Sequence, residues 1–248
     1  MRDVDRALAS AIAHRWHPVA APVSDANLRR LLTRLGPVDR VLDLGCGFGE
    51  WLFAALEAAP GATGVGVDTS RPALDEARRR AGQRGLTDRV VFEEAAAASY
   101  DGGRFGAVLC VGATHAFGGL PGTLDAVRGH LAPGGRVLLG EGFWDGDPSP
   151  QAMSALGAAP GELPDLSGLV ETARAAGWEP GYGHISSAEE WDDYEWSWTG
   201  SLTAWALTEA GETDRASALQ IACTHREEWL AGYRGQLGFV TVVLHDAQ

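Results

Sequence analysis

The residues with the clearest capacity for chemistry stand in VLDLGCGFGEW, Val41 to Trp51. A β-branched and leucine run stops at Asp43, glycine then occupies positions 45, 47 and 49, and helical spacing resumes at Glu50. A strand that turns through glycines into a helix presents bare main-chain N–H groups at a helix N-terminus, where a ligand can approach closely. One strand later, TGVGVD ends in Asp68, whose two oxygens can accept hydrogen bonds from both hydroxyls of a ribose. The dinucleotide fingerprint would require glycine at position 50, but Glu50 stands there and the spacing is G-x-G-x-G. A carboxylate near this turn suits a positive centre better than a pyrophosphate.

Elements must hold these groups in place. Apolar runs at about 38–44, 63–67, 89–93, 105–111 and 135–140 alternate with segments of helical spacing. That alternation is the mark of a parallel sheet covered on both faces, a doubly wound α/β architecture. Ligands bind such sheets beyond the carboxyl ends of the strands, so the turn at Asp43 is the expected place. Two helices precede the core, at about 3–14 and 24–35, the second capped by Ser24 and closed by Gly36-Pro37. After the core, residues 141–165 are rich in Gly and Pro and read as largely irregular. A helix at about 165–176 and a strand from Trp178 to about Ile185 follow. The last strand, Leu237 to His245, comes after some fifty mainly helical residues. The expected organisation is N-terminal helices at 1–36, a sheet core at 37–186 and 237–248, and a helical, Trp-rich cap insertion at 187–236.

A ribose and a cationic group without phosphates describe S-adenosylmethionine. Here the chain resembles the class I S-adenosylmethionine-dependent methyltransferases, through VLDLGCGFG, VGVDTS, FGAVLCVGATHAFGG and LAPGGRVLLGE in order along residues 38–142. The resemblance implies a Rossmann-like, mostly parallel seven-stranded sheet with a reversed last strand. It implies that Gly45, Cys46, Gly47 and Gly49 line the methionine part of the cofactor and that Asp43 orients its amino group. Asp68 would hold the ribose, Thr69 would pack near adenine, and Cys110 and Val111 would approach by main chain. The family's adenine-binding acid is replaced near Ala96 in VVFEEAAAASY, so backbone groups of Ala96 and Ala97, or Glu94 in a shifted register, stand in for it.

Methyl transfer from a sulfonium is an in-line displacement that asks the protein for positioning, exclusion of water and, for a protonated acceptor, a base. His115, after the fourth strand, is the expected base. Glu141 and Trp144 at the fifth strand, and His17 before the core, are candidate acceptor contacts. Trp191, Tyr194, Trp198, Leu202 and Trp205 draw an aromatic stripe at helical spacing, with Gly200 as a break, and His225, Trp229 and Tyr233 share a second face. Such stripes are more often core than ligand box, yet Tyr194, Trp198 and Tyr233 are also candidates for the acceptor site. Asp192, Asp193 and Glu195 could favour a cationic acceptor, although such acids more often face solvent, and Arg226 or Arg234 could bind a carboxylate.

Bulk properties narrow the function. With 248 residues and 45% hydrophobic content the chain can bury a large core, and no 18-residue apolar run or leader pattern marks it for a membrane or for export. Cys46, Cys110 and Cys223 fit neither a disulfide framework nor a metal site, and a reducing, cytoplasmic setting suits them. The seven histidines lack HxH and HExxH spacing, so no metal is expected. A net charge of −13 argues against nucleic acid, and the basic triplet Arg78 to Arg80 reads as a solvated helix face. The expected activity is methylation of a small molecule at oxygen, nitrogen or carbon. A non-catalytic protein that binds S-adenosylmethionine or S-adenosylhomocysteine for a structural or regulatory purpose is the alternative, and a nicotinamide-dependent oxidoreductase ranks third. The Trp-rich surface leaves pocket wall, core and the contact of a homodimer open.

Overall fold

A computed structural model describes residues 6–248. Seven strands form one sheet in the order β3-β2-β1-β4-β5-β7-β6. They are β1 (Arg40–Leu44), β2 (Thr63–Asp68), β3 (Val90–Glu94), β4 (Phe105–Val111), β5 (Leu131–Trp144), β6 (Trp178–Ile185) and β7 (Leu237–Asp246). The first five pair in parallel, whereas β6 and β7 run antiparallel to each other, so the sheet is mixed. This is the doubly wound α/β architecture expected from the alternation of apolar runs and the seven-stranded Rossmann-like sheet that the resemblance implies. Strand order reverses between β1 and β4, which opens the crevice at their carboxyl ends.

The chain divides into two compact units. The sheet unit spans Ser24–Gly142, Leu166–Ile185 and Phe239–Gln248. It carries α2 (Asp25–Arg34), α3 (Glu50–Ala58), α4 (Arg71–Gln83), α5 (Leu120–Gly129) and α7 (Leu166–Ala175). Its core is built by Val41, Leu42, Leu44, Val108 and Leu109 from the central strands and by Leu52, Leu56 and Leu74 from the helices, each fully enclosed. Central strands buried on both faces explain why their sequences are continuous apolar runs rather than alternating ones.

The helical unit comprises the described residues up to Val23, together with Phe143–Asp165 and Ser186–Gly238. It holds α1 (Arg6–Ala13), α6 (Pro150–Leu156), α8 (Ala188–Thr208), α9 (Glu212–Glu227) and a π-helical turn, Glu228–Tyr233. Residues 3–5 of the first expected helix lie outside the described residues. Three local features depart from expectation. α8 runs through Gly200 without a break, because the absent Cβ is where Trp16 lies, 2.8 Å from its would-be position. The Gly- and Pro-rich stretch after β5 contains α6, nucleated by a Ser149 cap and Pro150 at its first position. The unit boundaries place α2 with the sheet and Phe143–Asp165 with the helices, unlike divisions at 36 and 187.

Candidate functional site

The turn after β1 is set by its own main chain. Gly45 and Cys46 both donate their N–H groups to the Val67 carbonyl, at 2.9 and 3.0 Å, and Gly49 donates to the Cys46 carbonyl at 2.8 Å. Gly47 N–H donates to Asp68 Oδ2 at 2.9 Å. The N–H groups expected to face a ligand are therefore engaged inside the loop, a correction to the sequence reading. Glycine is needed here for conformation and for closeness. Gly45 has φ +77°, and a Cβ on it would stand 2.4 Å from the Ala113 methyl. Gly47 has φ +49° with nothing within 4 Å of its missing side chain, so its Cα face is open.

Asp68 organises both halves of this crevice. Besides Gly47, its Oδ1 accepts the Ser70 N–H at 2.8 Å, while Ser70 caps α4. A carboxylate offers about four lone-pair directions, so two acceptor positions remain for ligand hydroxyls. Thr69, next to it, is exposed. Asp43 lies opposite Gly66 of β2 and Leu109 of β4 and is only 2% exposed. It accepts a hydrogen bond from the Leu52 main chain, but Oδ2 is buried without a partner. Burial, and then the charge of Asp68, push its carboxyl up to about 8. A buried acceptor without a donor is a costly arrangement unless a ligand completes it. The Cys46 and Cys110 thiols beside it are pushed up by burial first and Asp43 second, Cys110 to about 12, so neither is a nucleophile.

Further residues of the sheet unit border the same strand ends. Ala96 precedes a 3-10 turn, Ala97–Ser99, in which Ala97 is buried and Ala96 exposed. Glu94 pairs with Arg71 at 2.8 Å, which occupies the carboxylate that a shifted register would have used for adenine. Cys110 and Val111 end β4, and Gly112 N–H donates to the Gly140 carbonyl at 3.0 Å, locking β4 to β5. His115 is exposed on the following 3-10 turn, Thr114–Phe117. Glu141 takes hydrogen bonds from the Thr114 side chain and, at 3.0 Å, from Gly142 N–H, and it feels the charge of His115. Its burial raises its pKa, and this half-buried carboxyl lies near the end of β5, while the imidazole whose charge it feels follows β4.

The remaining acceptor candidates belong to the helical unit. Trp144, Ala152, Trp229 and Tyr233 form one apolar cluster. The Tyr233 hydroxyl donates to Glu195 Oε1 at 2.7 Å, and His225 Nε2 lies 2.7 Å from Glu195 Oε2. Glu195 is 2% exposed, so of the three acids in this stretch it is the one that does not face solvent. Trp198 stacks on the His225 ring with centroids 3.9 Å apart. Tyr194 meets the edges of His17 and Trp191 and shares a 3.3 Å hydrogen bond with His14 Nε2. Arg234 is held bidentately by Asp192 and is not free for an acceptor carboxylate. Sequence reasoning missed the Glu195 network: His225 and Tyr233 were placed on one helical face, but Glu195 was read among acids that more often face solvent.

A separate apolar groove of about 360 Å³ lies between α7 and the β6–β7 pair, lined by Leu169, Val170, Pro180 and Val242 among others. Among the described residues no group of three or more His, Cys, Asp or Glu is placed to hold a metal, and no helix is long and apolar enough to cross a membrane.

Residues 42–137 match the family profile described as a methyltransferase domain. The chain is 35% identical over 185 residues to the uncharacterised protein YjhP of Escherichia coli, covering 73% of this chain and 74% of that one. It is 30% identical over 203 residues to the 27-O-demethylrifamycin SV methyltransferase of Amycolatopsis mediterranei, covering 74% and 70%. The crystal structure of an S-adenosylmethionine-dependent methyltransferase from Geobacter sulfurreducens, in complex with S-adenosyl-L-homocysteine, superposes with a TM-score of 0.87 at 27% identity over 98% of this chain and 99% of that chain.

Proposed function

Because the chain belongs to the class I S-adenosylmethionine-dependent methyltransferases, we propose that it transfers the methyl group of S-adenosylmethionine to a small-molecule acceptor. The observation that carries this reading is the crevice after β1 and β2: an unpartnered buried carboxylate oxygen on Asp43, an open face at Gly47 and spare acceptor positions on Asp68. Those groups fit an amino-acid tail and a ribose. When bound, the cofactor supplies an electrophilic methyl on a sulfonium centre.

The chain's own residues do the rest. Asp43 neutralises the ligand's ammonium. The Gly45–Gly49 turn receives its tail by close main-chain contact, and Asp68 takes the ribose hydroxyls while holding the turn closed. Thr69, Ala96 and Ala97 border the adenine, and Cys110 and Val111 form the floor by main chain. His115 accepts the acceptor's proton, with Glu141 beside it to stabilise the imidazolium that forms. The small-molecule class is supported by the 27-O-demethylrifamycin SV methyltransferase among the relatives and by a net charge of −13, which repels nucleic-acid phosphates. His17, Trp144, Tyr194, Trp198 and Tyr233, the other acceptor candidates, pack within the helical unit, Trp144 and Tyr233 in its apolar cluster.

The test is isothermal titration of the apoprotein with S-adenosylmethionine, followed by release of S-adenosylhomocysteine in the presence of small-molecule, protein and nucleic-acid fractions. Turnover confined to the small-molecule fraction is expected. Tight uptake with no turnover in any fraction would convert the protein into a cofactor-binding module.

A further inference from the structure

The most unusual group in the sheet unit is Asp43, which no cation offsets. It faces Asp68 at the end of β2, the Cys46 thiol of the turn and the Cys110 thiol of β4, and from α3 it receives the Leu52 main-chain hydrogen bond. Asp68 repels its charge, and the two thiols, held protonated, supply none of the opposite sign. One oxygen is bonded and the other, Oδ2, is enclosed and unpaired. An enclosed carboxylate in such company is disfavoured, and a carboxyl group is the stable form until a cation arrives.

We propose that Asp43 exchanges a proton for the ligand: the O–H bond of its carboxyl breaks, the proton passes to the solvent buffer, and the resulting carboxylate pairs with the ligand's ammonium. The proposal rests on the cofactor reading above and deepens it. It makes Asp43 the residue that selects nucleosides with a cationic aminoacyl tail, because a ligand without that cation leaves the proton in place and gains nothing from this residue. Cofactor uptake is thereby linked to pH on the acid side of neutrality.

Titrating the full-length apoprotein with S-adenosylhomocysteine at pH 7, in phosphate and in Tris, reads the proton directly from the difference in binding enthalpy. Since the free carboxyl titrates at about 8, nearly one proton per ligand is expected at pH 7. Affinity should rise about 10-fold per pH unit from pH 5.5 to 7, below the range in which the ligand's own amine titrates. 5′-Methylthioadenosine, which keeps the nucleoside and thioether but lacks the aminoacyl tail, should show neither effect and so controls for His115. Asp43→Asn should bind S-adenosylhomocysteine more weakly, with no proton release and no pH slope. If that variant does not fold, the two ligands compared on the wild-type protein still decide. Buffer-independent enthalpy with pH-independent affinity for S-adenosylhomocysteine overturns proton exchange and leaves the cofactor site standing. So does an Asp43→Asn protein that releases the same proton. Absence of any binding by the wild-type protein overturns the cofactor reading itself.

Discussion

Asp68 holds two main-chain N–H groups, Gly47 and Ser70, at 2.9 and 2.8 Å, and keeps acceptor capacity for a ligand. Charge-assisted hydrogen bonds of this kind are worth about 1.5–3 kcal/mol each. Asp68→Ala should therefore weaken S-adenosylhomocysteine binding by about 100-fold or more in equilibrium dialysis; a loss under threefold would mean that the turn holds the ligand without it. His115 is a different case, since among the described residues no hydrogen bond fixes its ring. His115→Ala should leave cofactor affinity unchanged and lower turnover by about 100-fold for a protonated acceptor, and unaltered turnover would remove it from proton transfer. Asp43 also reports on stability. Its folded pKa, near 8, is raised above the ordinary 3.8. The folded protein thus keeps a proton that the unfolded chain has released. That contribution is complete below about pH 4 and is lost as pH rises to about 8. Between pH 5 and 8 the thermal midpoint of the apoprotein should fall relative to that of Asp43→Asn, measured by calorimetry.

At the scale of elements, α3 and α4 are joined by a clamp whose residues were legible while their roles were not. Glu50, at the start of α3, is 8% exposed and receives Arg80 and Arg84 of the α4 segment, each at 2.6 Å. Arg78 reaches the Phe92 carbonyl and Arg80 reaches Glu50, fastening α4 to its neighbours, while Arg79 pairs only with Glu76 of the same helix and faces solvent as expected. Glu50→Ala strands two guanidiniums, although Glu76 and Glu57 retain partial pairing with them. A loss of about 2 kcal/mol is expected from the shift of the urea midpoint; no change would mean that the clamp merely balances its own desolvation. A local signal with a short-range cause was readable from sequence: Ser24 caps α2 by accepting the N–H three residues ahead. The continuity of α8 through Gly200 was not, because the residue that fills the missing Cβ, Trp16, is far away in sequence.

Across the whole molecule, buried polar groups mark where tertiary structure adds information. Burial and the Glu195 charge raise the pKa of Tyr194 and Tyr233 above the ordinary phenol value. For such groups the folded state keeps its protons longer than the unfolded chain. Their contribution to stability is present below about pH 10 and is lost above it. In a spectrophotometric titration, two of the four tyrosines should ionise only as the protein unfolds; four phenols ionising together in the folded protein would contradict the burial of this network. By itself the sequence determined the α/β class, the alternation of strands and helices and the glycine turn that follows the first strand. These follow from hydrophobic periodicity and glycine spacing, which act within a few residues and survive in any fold that contains them. Only the tertiary structure decided which N–H groups the turn keeps for itself, that Asp43 is enclosed without a partner, and that Glu195 turns inward to His225 and Tyr233 while Asp192 turns to Arg234. A side chain's desolvation and its partners depend on elements brought together from distant parts of the chain, and neither spacing nor composition carries that geometry.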